Sequence, residues 1–128
     1  MSYYLTKTVE TTFEETLEKA TAALKDQGFG VLTEIDVKET LKKKLEVEFH
    51  KYRILGACNP PFAYQALQAE DKIEVLLPCN VIVQETVDSG VEVSAMDPAE
   101  AMGMIDNADL KDIAEQVRAR LQRVIDSL

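Results

Sequence analysis

The stretch Tyr52-Arg53-Ile54-Leu55-Gly56-Ala57-Cys58-Asn59-Pro60-Pro61 constrains the fold most, because two backbone geometries must meet inside it. Tyr52 to Ala57 is apolar and bounded by turn-forming residues, so it reads as a buried strand. Asn59 suits a helix N-cap, and Pro60 suits the first helical position, where a missing N–H costs nothing. Cys58 therefore falls where a strand runs into a helix. A second Cys-Asn pair, Cys79-Asn80, sits in another apolar run, Leu76-Leu77-Pro78-Cys79-Asn80-Val81, and the chain has no other cysteine.

The flanking segments build a domain around that junction. Tyr3 to Val9 reads as a first strand. Thr11 and Thr12, with Glu14 and Glu15 three residues on, form a capping-box signature. Phe13, Leu17, Ala20 and Leu24 recur at helical spacing, and Gly28 closes that helix as a C′ residue. Phe29 to Ile35 follows as a strand, with Phe29, Val31 and Ile35 expected on one face. Asp36 caps a helical segment in which Glu39 pairs with Lys43, and its lysines read as a solvated face.

Beyond the central junction, Phe62, Ala66 and Ala69 suggest a short helix ending near Glu70. Ile73 to Thr86 is too long and apolar for an edge, so it is expected as a central strand with a bulge or break at Pro78. Asp88-Ser89-Gly90 signals a hairpin turn, with Val91 to Ala95 pairing back. Asp97-Pro98 opens a turn or short helix. A long amphipathic helix through Leu110, Ile113, Val117, Leu121 and Val124, capped at Asn107 or Asp109, ends the chain.

At 128 residues this is one α+β domain over residues 1–128, large enough to bury a core without staples. The order does not alternate strictly, and it ends on a hairpin. A largely antiparallel sheet with helices on one face follows. The other face would then hold residues such as Tyr4 and Leu32 in need of cover, which a homodimer would supply.

Charge and cysteine usage narrow the partners. With 14 basic against 23 acidic residues, the net charge is −9, which repels nucleic acid and anionic lipid. No apolar run reaches the roughly 18 residues of a membrane span, and no secretory leader is expected, so the protein is read as cytoplasmic. There, two cysteines are expected as free thiols. They are too few for a cysteine-based zinc site, and C-x-x-C spacing is absent.

Chemistry centres on the thiols. Cys58, one residue before an N-cap, would lie near unpaired N–H groups and the positive end of a helix dipole, which can lower a thiol pKa. It is a candidate nucleophile, sulfur carrier or soft-metal ligand, weighed against a small buried residue filling space. Cys79 alone reads as core. The two sulfurs could approach if their strands are neighbours, with Asn59 and Asn80 flanking them as donors. His50, the single histidine, lies eight residues from Cys58, about 26 Å along a strand at ~3.3 Å per residue, so a Cys-His dyad is disfavoured. Met96, Met102 and Met104 could add soft ligands for copper(I), but methionines more often fill core gaps. No nucleotide-binding or hydrolase motif is present.

The double Cys-Asn pattern, with Gly28-Phe29-Gly30-Val31-Leu32-Thr33-Glu34-Ile35-Asp36-Val37 and Ser94-Ala95-Met96-Asp97-Pro98, closely resembles the family of domain of unknown function 302. The resemblance spans nearly the whole chain. It implies a curved, mostly antiparallel sheet in β-α-β-β-β-β-α order with short extra helices, similar to the TATA-binding-protein-like group of folds. It also implies a homodimer, and it supplies no activity. Many members carry a histidine where this chain has Tyr64, so a mechanism using that imidazole would lack its group here.

The residues together favour a small binding or sensing domain rather than an enzyme, since no general base or acid accompanies the thiols. A small-molecule ligand would sit near Cys58, Asn59, Cys79 and Asn80. Thiol-based redox, sulfur-transfer or soft-metal activity is the alternative, and a protein–protein interaction module with structural cysteines is the third reading.

Overall fold

The computed structural model describes residues 2–88 and 90–128. Five strands, β1 (Tyr4–Val9), β2 (Gly30–Asp36), β3 (Tyr52–Cys58), β4 (Cys79–Glu85) and β5 (Val91–Met96), form one open sheet in the order β1-β5-β4-β3-β2, with every neighbouring pair antiparallel. The helices are α1 (Phe13–Asp26), α2 (Val37–Leu45), α3 (Pro60–Ala69), α4 (Pro98–Ala101) and α5 (Ala108–Asp126). The α+β architecture and element order agree with the sequence. Helix α1 carries the chain from one sheet edge to the other, and β3, β4 and β5 fill the space between.

Local chemistry explains the helix ends. Thr12 caps α1 by accepting from the Glu15 N–H, and Asp36 caps α2 by accepting from Glu39. Asn107 caps α5 by accepting from Asp109 and Leu110. After α1, Gly28 takes φ +87°, a left-handed conformation that strains any residue with a Cβ. Helix α2 buries none of its residues, and its Glu39–Lys43 pair closes at 2.8 Å, as expected of a solvated face.

The core lies between one face of the sheet and helices α1 and α5. Leu5, Leu55, Val81, Val83, Val93 and Ala95 project toward Ala20 and Leu24 of α1 and Leu110, Leu121 and Val124 of α5. Strand β5 alternates buried and half-buried positions along its whole length, the signature of a sheet covered on one side. The opposite face carries Tyr4, Tyr52, Ile54, Ile82 and Met96, with Tyr4 42% exposed.

Three local expectations change. A register shift between Val31 and Thr33 makes Leu32 the extra residue of a bulge. Val31 pairs with Ala57 on the core side, whereas Ile35 pairs with Ile54 and turns to the open face at 47% exposure. The expected common facing of Phe29, Val31 and Ile35 is therefore broken. Ile73–Leu76 is a 3₁₀ turn rather than the start of β4, and the strand begins only after Pro78, where a break was anticipated. The expected Asp88-Ser89-Gly90 turn includes Ser89, outside the described residues, although Thr86 N–H donates to the Gly90 carbonyl across the connection.

Candidate functional site

The two Cys-Asn segments meet at one end of the sheet. β3 and β4 are neighbours, with Ala57 opposite Cys79 and Gly56 opposite Asn80. Cys58 therefore lies one residue beyond the position facing Cys79, and both cysteines are free and line a single cavity of about 120 Å³. Its walls are chiefly apolar: Phe29 before β2, Phe62 and Ala66 of α3, Met102 after α4 and Val117 of α5. Leu32, pushed outward by the bulge, and the exposed Glu74 of the 3₁₀ turn also line it.

Gly56 is what allows this end to close. A Cβ at that position would run into Thr33 Oγ1 and lie 3.0 Å from Pro78 Cγ. Only glycine lets β2 and the segment before β4 approach β3 so closely.

The thiols are not activated. Burial pushes the half-buried Cys58 thiol up, and the Glu74 carboxylate adds to the shift. The lowered pKa expected from the α3 N-terminus is overturned. The helix opens with Pro60 and Pro61, so two of its first N–H donors do not exist, and desolvation prevails. Cys79, only 5% exposed, is pushed up to about 12, by burial first and then by Cys58 and Glu74. Both shifts favour the neutral thiol over the thiolate.

The asparagines part company. Asn59 occupies the N-cap position of α3 without making a side-chain cap bond. Its Nδ2 instead donates to the Gln27 carbonyl at 3.3 Å, beyond the end of α1. A Cβ on Gly28 would sit 3.2 Å from that nitrogen, so Gly28 serves both the helix end and this contact. Arg120 of α5 donates to the same carbonyl at 3.2 Å and stacks 5.3 Å from the Phe62 ring centroid. Asn80 points to the open sheet face beside Tyr52 and Ile82, so the expectation that it flanks the thiols fails. The reason is the pleat: consecutive residues of a strand face opposite sides, and Cys79 takes the core side.

Other candidates disperse. His50 is exposed beyond the start of β3, with Nε2 2.9 Å from Gln84 Oε1 and its ring stacked 4.1 Å from Phe49, at the far end of the strand from Cys58. Met102 reaches the cavity, but Met96 lies on the open face and Met104 is exposed, so the methionines form no cluster. Among the described residues, no group of three or more His, Cys, Asp or Glu side chains is placed to hold a metal ion. Among the described residues, no helix is long and apolar enough to cross a membrane. Tyr64 is exposed on α3 and does not line the cavity.

Two contributors leave no sign in the sequence. Glu74 sits in a segment read as strand, and the Gln27 carbonyl is a backbone group that no side-chain pattern reports. Likewise Asp97, expected only as a turn former, also accepts from Arg118 Nε at 2.8 Å while itself buried.

Comparison with known proteins agrees with this arrangement. The family described as domain of unknown function DUF302 matches residues 5–128. The chain belongs to that family. A crystal structure of an uncharacterized conserved DUF302 protein from Bacillus stearothermophilus superposes with a TM-score of 0.91 at 31% identity, covering 98% of each chain. No curated protein matches the chain. The DUF302 assignment thus carries a fold and names no activity.

Proposed function

We propose that this DUF302 protein is a small-molecule binding or sensing domain whose ligand occupies the cavity beside Cys58 and Cys79. The observation that carries the reading is the convergence of Cys58, Asn59 and Cys79, with α3 and α5, on one mostly apolar cavity of about 120 Å³. Concave apolar sites with a few convergent polar groups are the usual form of a ligand pocket. The thiol-activity alternative is weaker, because burial pushes both thiols up and lowers the thiolate fraction that such chemistry needs.

A fragment screen by protein-observed NMR tests the proposal. Apolar fragments should shift the amides of Phe29, Cys58 and Phe62, and Ala63→Leu, which adds volume to the cavity wall, should abolish those shifts. Fragments that bind Ala63→Leu as well as the parent, or no binder at all, would sink it.

The assembly and location form part of the same proposal. Tyr4 and Ile35 are exposed on the sheet face opposite α1 and α5, and a two-fold partner presenting the same face would bury both. Light scattering that returns a monomer mass at micromolar concentration would remove the homodimer. Two free thiols suit the reducing cytoplasm.

A further inference from the structure

The few polar atoms of the cavity say what it would take. Resting on the binding reading above, we propose that the ligand inserts a neutral, ring-sized apolar group bearing a single O–H or N–H donor to Asn59 Oδ1, and that anionic ligands are rejected.

Size comes from the volume. An apolar cavity of about 150 Å³ holds benzene. The 120 Å³ here is slightly smaller and therefore suits no more than one such ring. The aromatic faces of Phe29 and Phe62 and the thioether of Met102 offer such a ring contact on several sides.

The donor requirement comes from Asn59. This side chain is only 8% exposed and lines the cavity, and its Nδ2 is committed to the Gln27 carbonyl. Because that carbonyl can only accept, the nitrogen must face it, and the amide orientation is fixed. Among the described residues, Oδ1 accepts no hydrogen bond, yet it is not among the polar atoms sealed from solvent without a partner. It is the free acceptor of a side chain held in place by its Nδ2 bond, on a residue that lines the cavity. A ligand donor placed there makes a hydrogen bond that no protein group among the described residues supplies.

Rejection of anions comes from the charges present. Glu74 is the single formally charged residue lining the cavity, and it is acidic. Arg120 is not a lining residue, since its guanidinium is engaged with the Phe62 ring and the Gln27 carbonyl. A carboxylate entering this site would lose its hydration and meet no cation among the lining residues, with Arg120 already engaged behind Phe62.

Three probes of one ring size test the inference by NMR titration: fluorobenzene with no donor, phenol with one, and benzoate with a charge. Phenol should bind within about tenfold of fluorobenzene or tighter, because Asn59 Oδ1 offsets the desolvation of its hydroxyl. Benzoate should bind more than about tenfold weaker than either. Asn59→Ala should weaken phenol by about tenfold more than it weakens fluorobenzene, and residual fluorobenzene binding shows that the variant is folded. Fluorobenzene binding with phenol more than tenfold weaker, or benzoate matching phenol, overturns this inference and leaves the binding reading standing. If none of the three probes binds the parent protein, both fall.

Discussion

Cys58-Asn59 and Cys79-Asn80 are the same dipeptide in neighbouring strands, and the fold treats them in opposite ways. In the first pair the cysteine is half-buried and the asparagine is buried in a cavity wall. In the second the cysteine is buried and the asparagine faces solvent across the sheet. The difference is one of position: Cys79-Asn80 lies within the regular pleat of β4, whereas Cys58-Asn59 leaves β3 where the chain turns into α3. Leaving the pleat frees a polar side chain to turn inward, and this is why the cavity holds an amide at all.

Thiol reactivity should separate the pairs most sharply. With its thiol pushed up to about 12, Cys79 is thiolate only at a fraction of about 10⁻⁴ at pH 8, and it is buried as well. Iodoacetamide on native protein, read by peptide mass, should modify Cys58 at least about 100-fold faster than Cys79, yet more slowly than a free thiol. A fast Cys58 would instead restore the thiol-activity reading. The same group sets a pH dependence. The folded-state thiol pKa lies above the unfolded value of about 8.5, so the stabilisation from Cys79 is present below that pH and is lost as pH rises toward 12. Denaturation curves of Cys79→Ala should fall less steeply over that range than those of the parent.

Gly56 holds the two pairs in register, since it faces Asn80 across the ladder and lies two residues before Cys58. Gly56→Ala places a methyl against Thr33 Oγ1 and Pro78 Cγ, so β2 or the segment before β4 must move. A loss of about 2–3 kcal/mol in urea denaturation is expected from such overpacking. A change under about 0.5 kcal/mol would show that this end of the sheet is looser than described.

Serine substitution probes burial of the two sulfurs. Cys79→Ser puts a hydroxyl among Ala57, Ala66 and their apolar neighbours, and should cost about 1–3 kcal/mol if the hydroxyl finds no partner. Cys58→Ser, at a half-buried position near the cavity mouth, should cost less than about 1 kcal/mol. Equal losses from chemical denaturation would erase the asymmetry between the pairs.

What the sequence disclosed follows the range of the forces involved. Helix caps at Thr12, Asp36 and Asn107, the left-handed Gly28 and the break at Pro78 are decided by neighbours within a few residues, and all are legible. The bulge at Leu32 is not legible, because it reflects how β2 meets β3 rather than anything in β2 alone. For the same reason the spacing puts Ile35 on the wrong face, whereas Asn80 is turned from the cavity by the pleat of β4, which gives the core side to Cys79. The site was legible as a meeting of two thiols. Its polar feature was not, because it depends on a backbone carbonyl 32 positions away from Asn59. The electrostatics of Cys58 turn on a local feature of the sequence, since Pro60 and Pro61 remove the donors that a thiolate would use.

The smallest effect concerns the asparagines and bears most directly on that missed contact. Asn59→Ala removes the bond to the Gln27 carbonyl, which Arg120 continues to satisfy, so only part of the usual penalty for an unpaired acceptor applies. About 1 kcal/mol is the expected loss. Asn80→Ala, on an exposed position of β4, should stay within about 0.5 kcal/mol. A double variant with Arg120→Ala discriminates further, because it strips both side-chain donors from one part-buried carbonyl. Its loss should exceed the sum of the two single losses. Simple additivity in the denaturation free energies would mean that the shared carbonyl does not couple α1, α3 and α5, and that Asn59 is held in the cavity wall by packing alone.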